Sequence, residues 1–322
     1  MSHSIKNQLS WLTAHLVVAL ASMVGIGGAT RVMEAGLACP DWPLCYGYLL
    51  PGPQMNIPVF LEWFHRLDAF LIIVALLILL TQSVLWRHVL PQWLPWISGF
   101  MLALVAFQAG LGALTVLRLL SSDVVTAHLA IALLLVATIS ACHQGLIFTS
   151  NKISANSNRN AYLKPGVKFI PYTISHRWWT YFAALTTIVV YTQCLLGGLM
   201  ATQRATQLCV QKGTLCRWLY SHEIGGIVTT LCITIFVIVS LINSEWSRNQ
   251  WPLLSFAILS IVMQILLGTV SMRLVLSAPG VTVAHQITAA ILIAVLSALT
   301  TRGFLTTSTV LSTRPSPLLG GS

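Results

Sequence analysis

The chain has 322 residues, 56% apolar and only 7% charged, where a soluble domain carries roughly 25% charged residues. Mean hydropathy is +0.82. These values exclude a soluble globular fold, and the net charge of +10 reads as membrane topology rather than nucleic-acid binding.

Apolar runs of about 18 residues or more read as membrane spans. The first covers roughly residues 11–30. Lys6 and the run allow a cleaved signal peptide, but a counterpart later in the chain favours a retained helix. It ends in Gly27, Gly28, Ala29, Thr30 and Arg31. A loop with Cys39 and Cys45 follows.

The second span, 64–85, opens on Glu62-Trp63-Phe64-His65-Arg66. Residues three apart share a helical face, so Glu62 lies one turn from His65. Asp68 has the same spacing on the other side, placed to orient the imidazole or to pair with Arg66. Glu62 has two readings. One is a carboxylate facing the helix dipole; the other is a group for proton-coupled chemistry. The run Leu71–Leu80 does not alternate as a barrel strand must, so the spans are helices. The third span, 94–117, contains Gln108-Ala109-Gly110-Leu111-Gly112. The fourth, 124–148, carries His128 early.

Residues 149–177 are polar and basic and read as a linker. Span five, 178–201, ends near Gly197-Gly198, and the next loop holds Cys209 and Cys216. Span six, 222–243, opens on His222-Glu223. Span seven, 251–273, contains Gln264-Ile265-Leu266-Leu267-Gly268. Span eight, 283–303, carries His285. The division is therefore 1–148, an N-terminal four-helix half; 149–177, a cytoplasmic linker; 178–305, a C-terminal half; and 306–322, a tail.

The halves repeat. His65 and His222 are 157 residues apart, as are His128 and His285. The repeat of Glu62 falls on Leu219, so the second half keeps the histidines and drops the acid. Four helices per half make the repeat parallel and put all four histidines at one end of the membrane. The fold class is thus all-α integral membrane, eight transmembrane helices as two pseudo-symmetric four-helix bundles. Lys/Arg bias, strongest in the 149–177 linker, predicts both termini in the cytoplasm and the histidine end outside. The lack of a long Arg- and Ser-rich leader predicts a bacterial inner membrane.

An ionisable group within a span is a functional hypothesis, against the alternative of a histidine bonded to a neighbouring helix. Two equally spaced pairs favour function. Facing imidazoles in an apolar bundle suit haem iron, whereas a compact metal site needs three or four converging ligands. The remaining histidines, His3, His15, His88, His143 and His176, receive no role. In an oxidising compartment disulfides persist, so two pairs are expected, Cys39–Cys45 and Cys209–Cys216. Each serves as a clamp, with a redox or substrate-transfer role for the first left open. Cys142, Cys194 and Cys232 read as small apolar residues. Arg31, Arg66, Arg118, Arg204, Arg217 and Arg273 lie at the outer ends, where guanidinium forks either bind carboxylates such as haem propionates or mark the headgroup boundary.

Taken together, Gly27–Arg31, the Cys39-Pro40-Asp41-Trp42-Pro43-Leu44-Cys45 loop, Glu62-x-x-His65-Arg66, Thr126-Ala127-His128, His222 and Ala284-His285 resemble the haem A synthase family over about residues 11–303. The loop cysteines stand slightly closer together than is usual in that family. The resemblance implies oxidation of a ring methyl of haem O to a formyl group, giving haem A for terminal oxidases. It implies substrate haem O between His65 and His128 beside Glu62, and cofactor haem b between His222 and His285. It implies haem O synthase and terminal-oxidase assembly as partners, with the lipid bilayer as solvent, no nucleic acid, and a homo-oligomer left open. The alternative is a non-catalytic dihaem electron carrier or a haem-handling protein. Haem O synthase itself is disfavoured, because the three aspartates Asp41, Asp68 and Asp123 do not make its aspartate-rich motifs.

Overall fold

A computed structural model of the chain describes residues 2–159, 174–203, 205–243, 245–274 and 278–312, with side chains over 4–149, 177–203, 208–209, 211–243, 246–274 and 278–306. Its helices are α1 (Ser2–Val32), α2 (Ile57–Leu85), α3 (Leu94–Leu117), α4 (Ser122–Arg159), α5 (Ile174–Thr202), α6 (Ala205–Lys212), α7 (Cys216–Asn243), α8 (Glu245–Arg248), α9 (Trp251–Arg273) and α10 (Pro279–Ser312). Among the described residues, all but α6 and α8 are long and apolar enough to cross a membrane, eight in all. The protein is an all-helical, multi-pass membrane chain.

The helices outrun the apolar segments that reveal them. α2 begins at Ile57 and not near 64, because its start is set by a cap. The Asn56 side chain accepts from the Val59 N–H at 3.0 Å, and Pro58 occupies the first turn, where no N–H is needed. α4 continues to Arg159 and α5 starts at Ile174, so helix takes up both ends of the expected 149–177 linker, whose middle lies outside the described residues. Likewise α10 runs to Ser312, into the expected 306–322 tail; residues 313–322 lie outside the described residues. Hydropathy locates the lipid-matched part of a helix, whereas backbone hydrogen bonding continues through polar residues such as Asn151 and Lys152.

Helices α1 to α4 pack as a ring, each against the next, with α4 closing on α1. α5, α7, α9 and α10 form a second ring. Within each ring the diagonal helices, α2 with α4 and α7 with α10, face each other across the centre rather than packing side by side. The rings join through α1 and α4 on one side and α5 and α10 on the other. Between α4 and α10 the join is reciprocal. The Ser140 hydroxyl donates to the Ala294 carbonyl at 2.6 Å, and the Ser297 hydroxyl donates to the Ala137 carbonyl at 2.7 Å. Both members shift by 157 residues, the histidine repeat. In lipid, where apolar burial drives little association, small residues and such hydrogen bonds set helix contacts. Gly28 against Gln286 and Gly198 against Leu129 are further close approaches across this join, each onto the residue following a repeated histidine.

Candidate functional site

Successive spans alternate direction, so the N-terminal ends of α2, α4, α7 and α10 lie together. Each carries one of the four histidines within its first turns. His65 and His128 meet across the diagonal of the first ring, with ring centroids 6.5 Å apart and planes at 66°. His222 and His285 occupy the matching positions on α7 and α10, the diagonal helices of the second ring.

All four rings rest on glycine. A Cβ on Gly27 (α1) would stand 3.1 Å from the His65 ring, and one on Gly112 (α3) 3.4 Å from His128. On Gly197 (α5) it would stand 2.8 Å from His222, and on Gly268 (α9) 3.2 Å from His285. The glycines let each imidazole lie against the neighbouring helix and aim toward the ring centre. In the sequence these glycines appear only within the Gly27-Gly28, Gln108–Gly112, Gly197-Gly198 and Gln264–Gly268 segments. Their positions late in spans that neighbour a histidine helix were the available signal.

Glutamines hold the backbone beneath three of the histidines. Gln108 Nε2 donates to the His128 carbonyl at 2.9 Å, Gln264 Nε2 to the His285 carbonyl at 2.7 Å, and Gln193 Nε2 to the His222 carbonyl at 2.7 Å. Each such carbonyl sits in the first turns of a helix, and a polar cross-link there fixes that end against its neighbour. Gln193 also meets His222 Nδ1 at 3.0 Å. The first half has no such group: counting from Gly27 as from Gly197, the position of Gln193 is Met23. Gln193 lacked a repeat partner and was missed by sequence reading for that reason.

Do these residues fit haem? Nδ1 of His65, His128 and His285 is buried with no hydrogen-bond partner, and a polar atom left so within a span is costly unless a ligand meets the ring. Metal–imidazole bonds of about 2 Å on each side, plus the two ring radii, bring facing centroids to about 6 Å. The 6.5 Å separation matches. Among the described residues no three His, Cys, Asp or Glu side chains converge as a bare metal ion would require. The donor set and the glycine cradles therefore fit a macrocyclic iron held from two faces.

The acid beside His65 is bound up with the loop above it. Glu62 is 5% exposed. One carboxylate oxygen accepts from the Cys39 N–H at 2.8 Å and the other from Arg66 at 2.5 Å. Arg66 in turn donates to the carbonyls of Asp41 at 2.6 Å, of Leu44, and of Cys39 at 3.5 Å. Trp63 Nε1 donates to the Leu49 carbonyl at 2.6 Å. The loop is closed by a Cys39–Cys45 disulfide with Cα atoms 4.8 Å apart. Asp41 accepts from the N–H groups of Gly47 at 2.7 Å and Tyr46 at 2.6 Å; these bonds, Gly47 foremost, hold its carboxyl below the usual carboxylate range.

Two expectations need correction. Asp68 neither orients His65, whose Nδ1 has no partner, nor pairs with Arg66. Arg66 turns back to Glu62 and the loop carbonyls, which present four acceptors to one guanidinium fork. Glu62 is also not in the first turn of its helix, since α2 begins at Ile57. Its partners are a loop N–H and Arg66, not the helix end.

The second expected disulfide, Cys209–Cys216, is present with Cα atoms 4.8 Å apart, and Cys142, Cys194 and Cys232 are free thiols. Of the arginines at this end, Arg118, Arg217 and Arg273 are exposed, Arg217 lying 5.2 Å over the Trp218 ring; Arg204 lies outside the described residues. Away from the site, His143 bonds Thr13 of α1 at 3.0 Å and His15 bonds the Trp11 carbonyl of its own helix at 2.7 Å.

A family model described as cytochrome oxidase assembly protein, COX15-CtaA, matches residues 9–297. The chain is similar to proteins named Heme A synthase from three bacteria. It is 32% identical to that of Shewanella oneidensis over 143 residues, 38% of this chain and 41% of the relative. It is 32% identical to that of a Chelativorans species over 130 residues, 37% of this chain and 35% of the relative. It is 27% identical to that of Lysinibacillus sphaericus over 162 residues, 50% of this chain and 49% of the relative. The matched stretches thus span between about a third and a half of these curated relatives.

Proposed function

The chain belongs to the cytochrome oxidase assembly protein family COX15-CtaA, and from that premise we propose that it is a haem A synthase, an oxidoreductase that converts a ring methyl of haem O to a formyl group. The observation that carries the reading is the diagonal pair His65 and His128, at a ring separation of 6.5 Å, with a buried carboxylate one turn away on the same helix. The second pair keeps the imidazoles without the acid, which supports a division between a substrate half and a cofactor half.

In this reading His65 and His128 hold the iron of substrate haem O from its two faces and so set the height of the macrocycle beside Glu62. Gly27 and Gly112 let both rings reach inward. Turning a methyl into a formyl group, in net R–CH3 + H2O → R–CHO + 4 H+ + 4 e− with an external oxidant taking the electrons, calls for a proton acceptor near the methyl carbon. Glu62 takes that role. Arg66 matches its charge and the Cys39 N–H fixes its direction, so the carboxylate stays in place as it takes a proton or holds a water. The Cys39–Cys45 loop, bonded to Glu62, Trp63 and Arg66, closes the pocket top and limits water entry. His222 and His285 hold haem b, with Gln193 steadying His222. Haem b, when bound there, supplies a one-electron carrier.

The same reading puts the histidine end on the outer face of a bacterial inner membrane, with both termini cytoplasmic. A prenyl-transferring enzyme upstream supplies haem O, and terminal-oxidase assembly consumes haem A. The test is expression in cells that accumulate haem O, followed by haem extraction and chromatography. Haem A is the expected product. Haem O left unchanged beside a normal two-haem spectrum overturns the enzyme reading in favour of an electron carrier.

A further inference from the structure

Arg31 closes α1 one turn beyond Gly27, the glycine under the His65 ring. Residues four apart share a helical face, so Arg31 stands on the side of α1 turned toward His65, one turn nearer the helix end. It is half-buried. Its guanidinium has no hydrogen-bond or ion-pair partner among the described residues, where the one salt bridge is Arg66–Glu62. A cation withdrawn from water without an acceptor is costly, and five N–H donors in a planar fork fit a carboxylate on two bonds.

Among the described residues the competing arginines are accounted for. Arg66 spends its donors on Glu62 and the loop carbonyls; Arg118, Arg217 and Arg273 are exposed. The second half offers nothing equivalent on the matching helix. Counting from Gly197 as Arg31 is counted from Gly27, the position is Ala201.

The geometry points to Arg31 as the anchor for a propionate carboxylate of the haem gripped by His65 and His128. This rests on the proposal that the first half takes haem. It adds a specificity element: one pocket recognises the acidic edge of the macrocycle through α1, and the other does not. With the iron fixed by two imidazoles, the porphyrin can still turn about the iron axis. A fork on one propionate stops that rotation and so decides which methyl comes under Glu62. Arg31 is a positioning residue, and it makes no bond in the chemical step.

The test uses the full chain purified with its resident haem, titrated with haemin and with haemin dimethyl ester, which lacks the carboxylate charge. His65→Ala defines the first-half signal. Wild type is expected to bind haemin about tenfold more tightly than the ester, as expected for a charged hydrogen bond. Arg31→Gln is expected to erase that preference while leaving ester binding unchanged, and Arg31→Lys to restore part of it. Equal affinity of wild type for acid and ester overturns the assignment whether or not any variant folds, and leaves Arg31 as a headgroup contact. A preference that survives in Arg31→Gln overturns it as well. Haemin binding that is indifferent to His65→Ala removes the first-half haem site, and the Arg31 assignment with it. A His65-dependent signal without acid preference sinks the Arg31 assignment alone.

Discussion

The two halves carry the same histidines and glycines under two unlike loops. In the first half, a loop over residues 33–56 is fastened to the start of α2 by Glu62, Trp63 and Arg66 through hydrogen bonds to Cys39, Asp41, Leu44 and Leu49. In the second half the corresponding positions are Leu219, Tyr220 and Glu223. Leu219 is buried with Met200 against Cys209, Leu215, Trp218 and Met272, while Tyr220 and Glu223 are exposed. The interval from the first-helix glycine to the histidine is also longer in the first half, Gly27 to His65 against Gly197 to His222. A polar clamp stands beside one histidine pair and an apolar cluster beside the other. A duplicated bundle can keep its ligand pairs and diverge at its entrance. Under the proposed function, the apolar cover suits a half that keeps a resident group, and the hydrogen-bonded loop beside a carboxylate suits a half where a substrate enters, reacts and leaves.

The comparison breaks most sharply at Glu62. Glu62→Gln is expected to lower haem A formation by about 100-fold or more, as loss of a general base does, while the second-half haem spectrum stays intact. Leu219→Met, a volume-conserving change on the other side, leaves turnover unchanged. Extracted-haem chromatography reads both; full activity in Glu62→Gln refutes its role.

The glycine series comes next. Alanine at Gly197 puts a Cβ 2.8 Å from its imidazole, at Gly27 3.1 Å, at Gly268 3.2 Å and at Gly112 3.4 Å. Overpacking costs about 1–3 kcal/mol, so low-spin haem content per chain should fall in that order, with Gly112→Ala close to wild type. A flat or reversed order means the rings do not need these cradles.

Gln193 marks a smaller difference between the pockets. Gln193→Leu removes a donor to the His222 carbonyl and a contact to Nδ1, at a cost of about 1–3 kcal/mol for the acceptor left unpaired. It should shift the reduction midpoint of the second-half haem only. An equal shift in both haems, or none, counts against it.

The smallest effect is on the lid. Because Asp41 is held below the usual carboxylate range by the Gly47 and Tyr46 N–H groups, its contribution is present above the unfolded value of about 4 and fades as pH falls through the folded value. Proteolysis of the 33–56 loop should quicken only at strongly acidic pH, and Asp41→Asn should remove that dependence. A pH-independent rate in the wild type would contradict this.

The eight spans and both disulfides were legible in the sequence, as was the equal spacing of the four histidines. Apolar length is dictated by the bilayer, and a repeat spacing of 157 residues shows without coordinates. Element ends were not legible where a cap and not hydropathy sets them, as at Asn56, or where polar residues continue a helix, as beyond residue 149. The pairing across ring diagonals, the glycine beneath each imidazole, Gln193 under His222 and the turn of Arg66 toward Glu62 rather than Asp68 were decided only in three dimensions. Each depends on the distance between atoms on separate helices. Periodicity within one helix fixes which face a residue occupies, but not what stands opposite it.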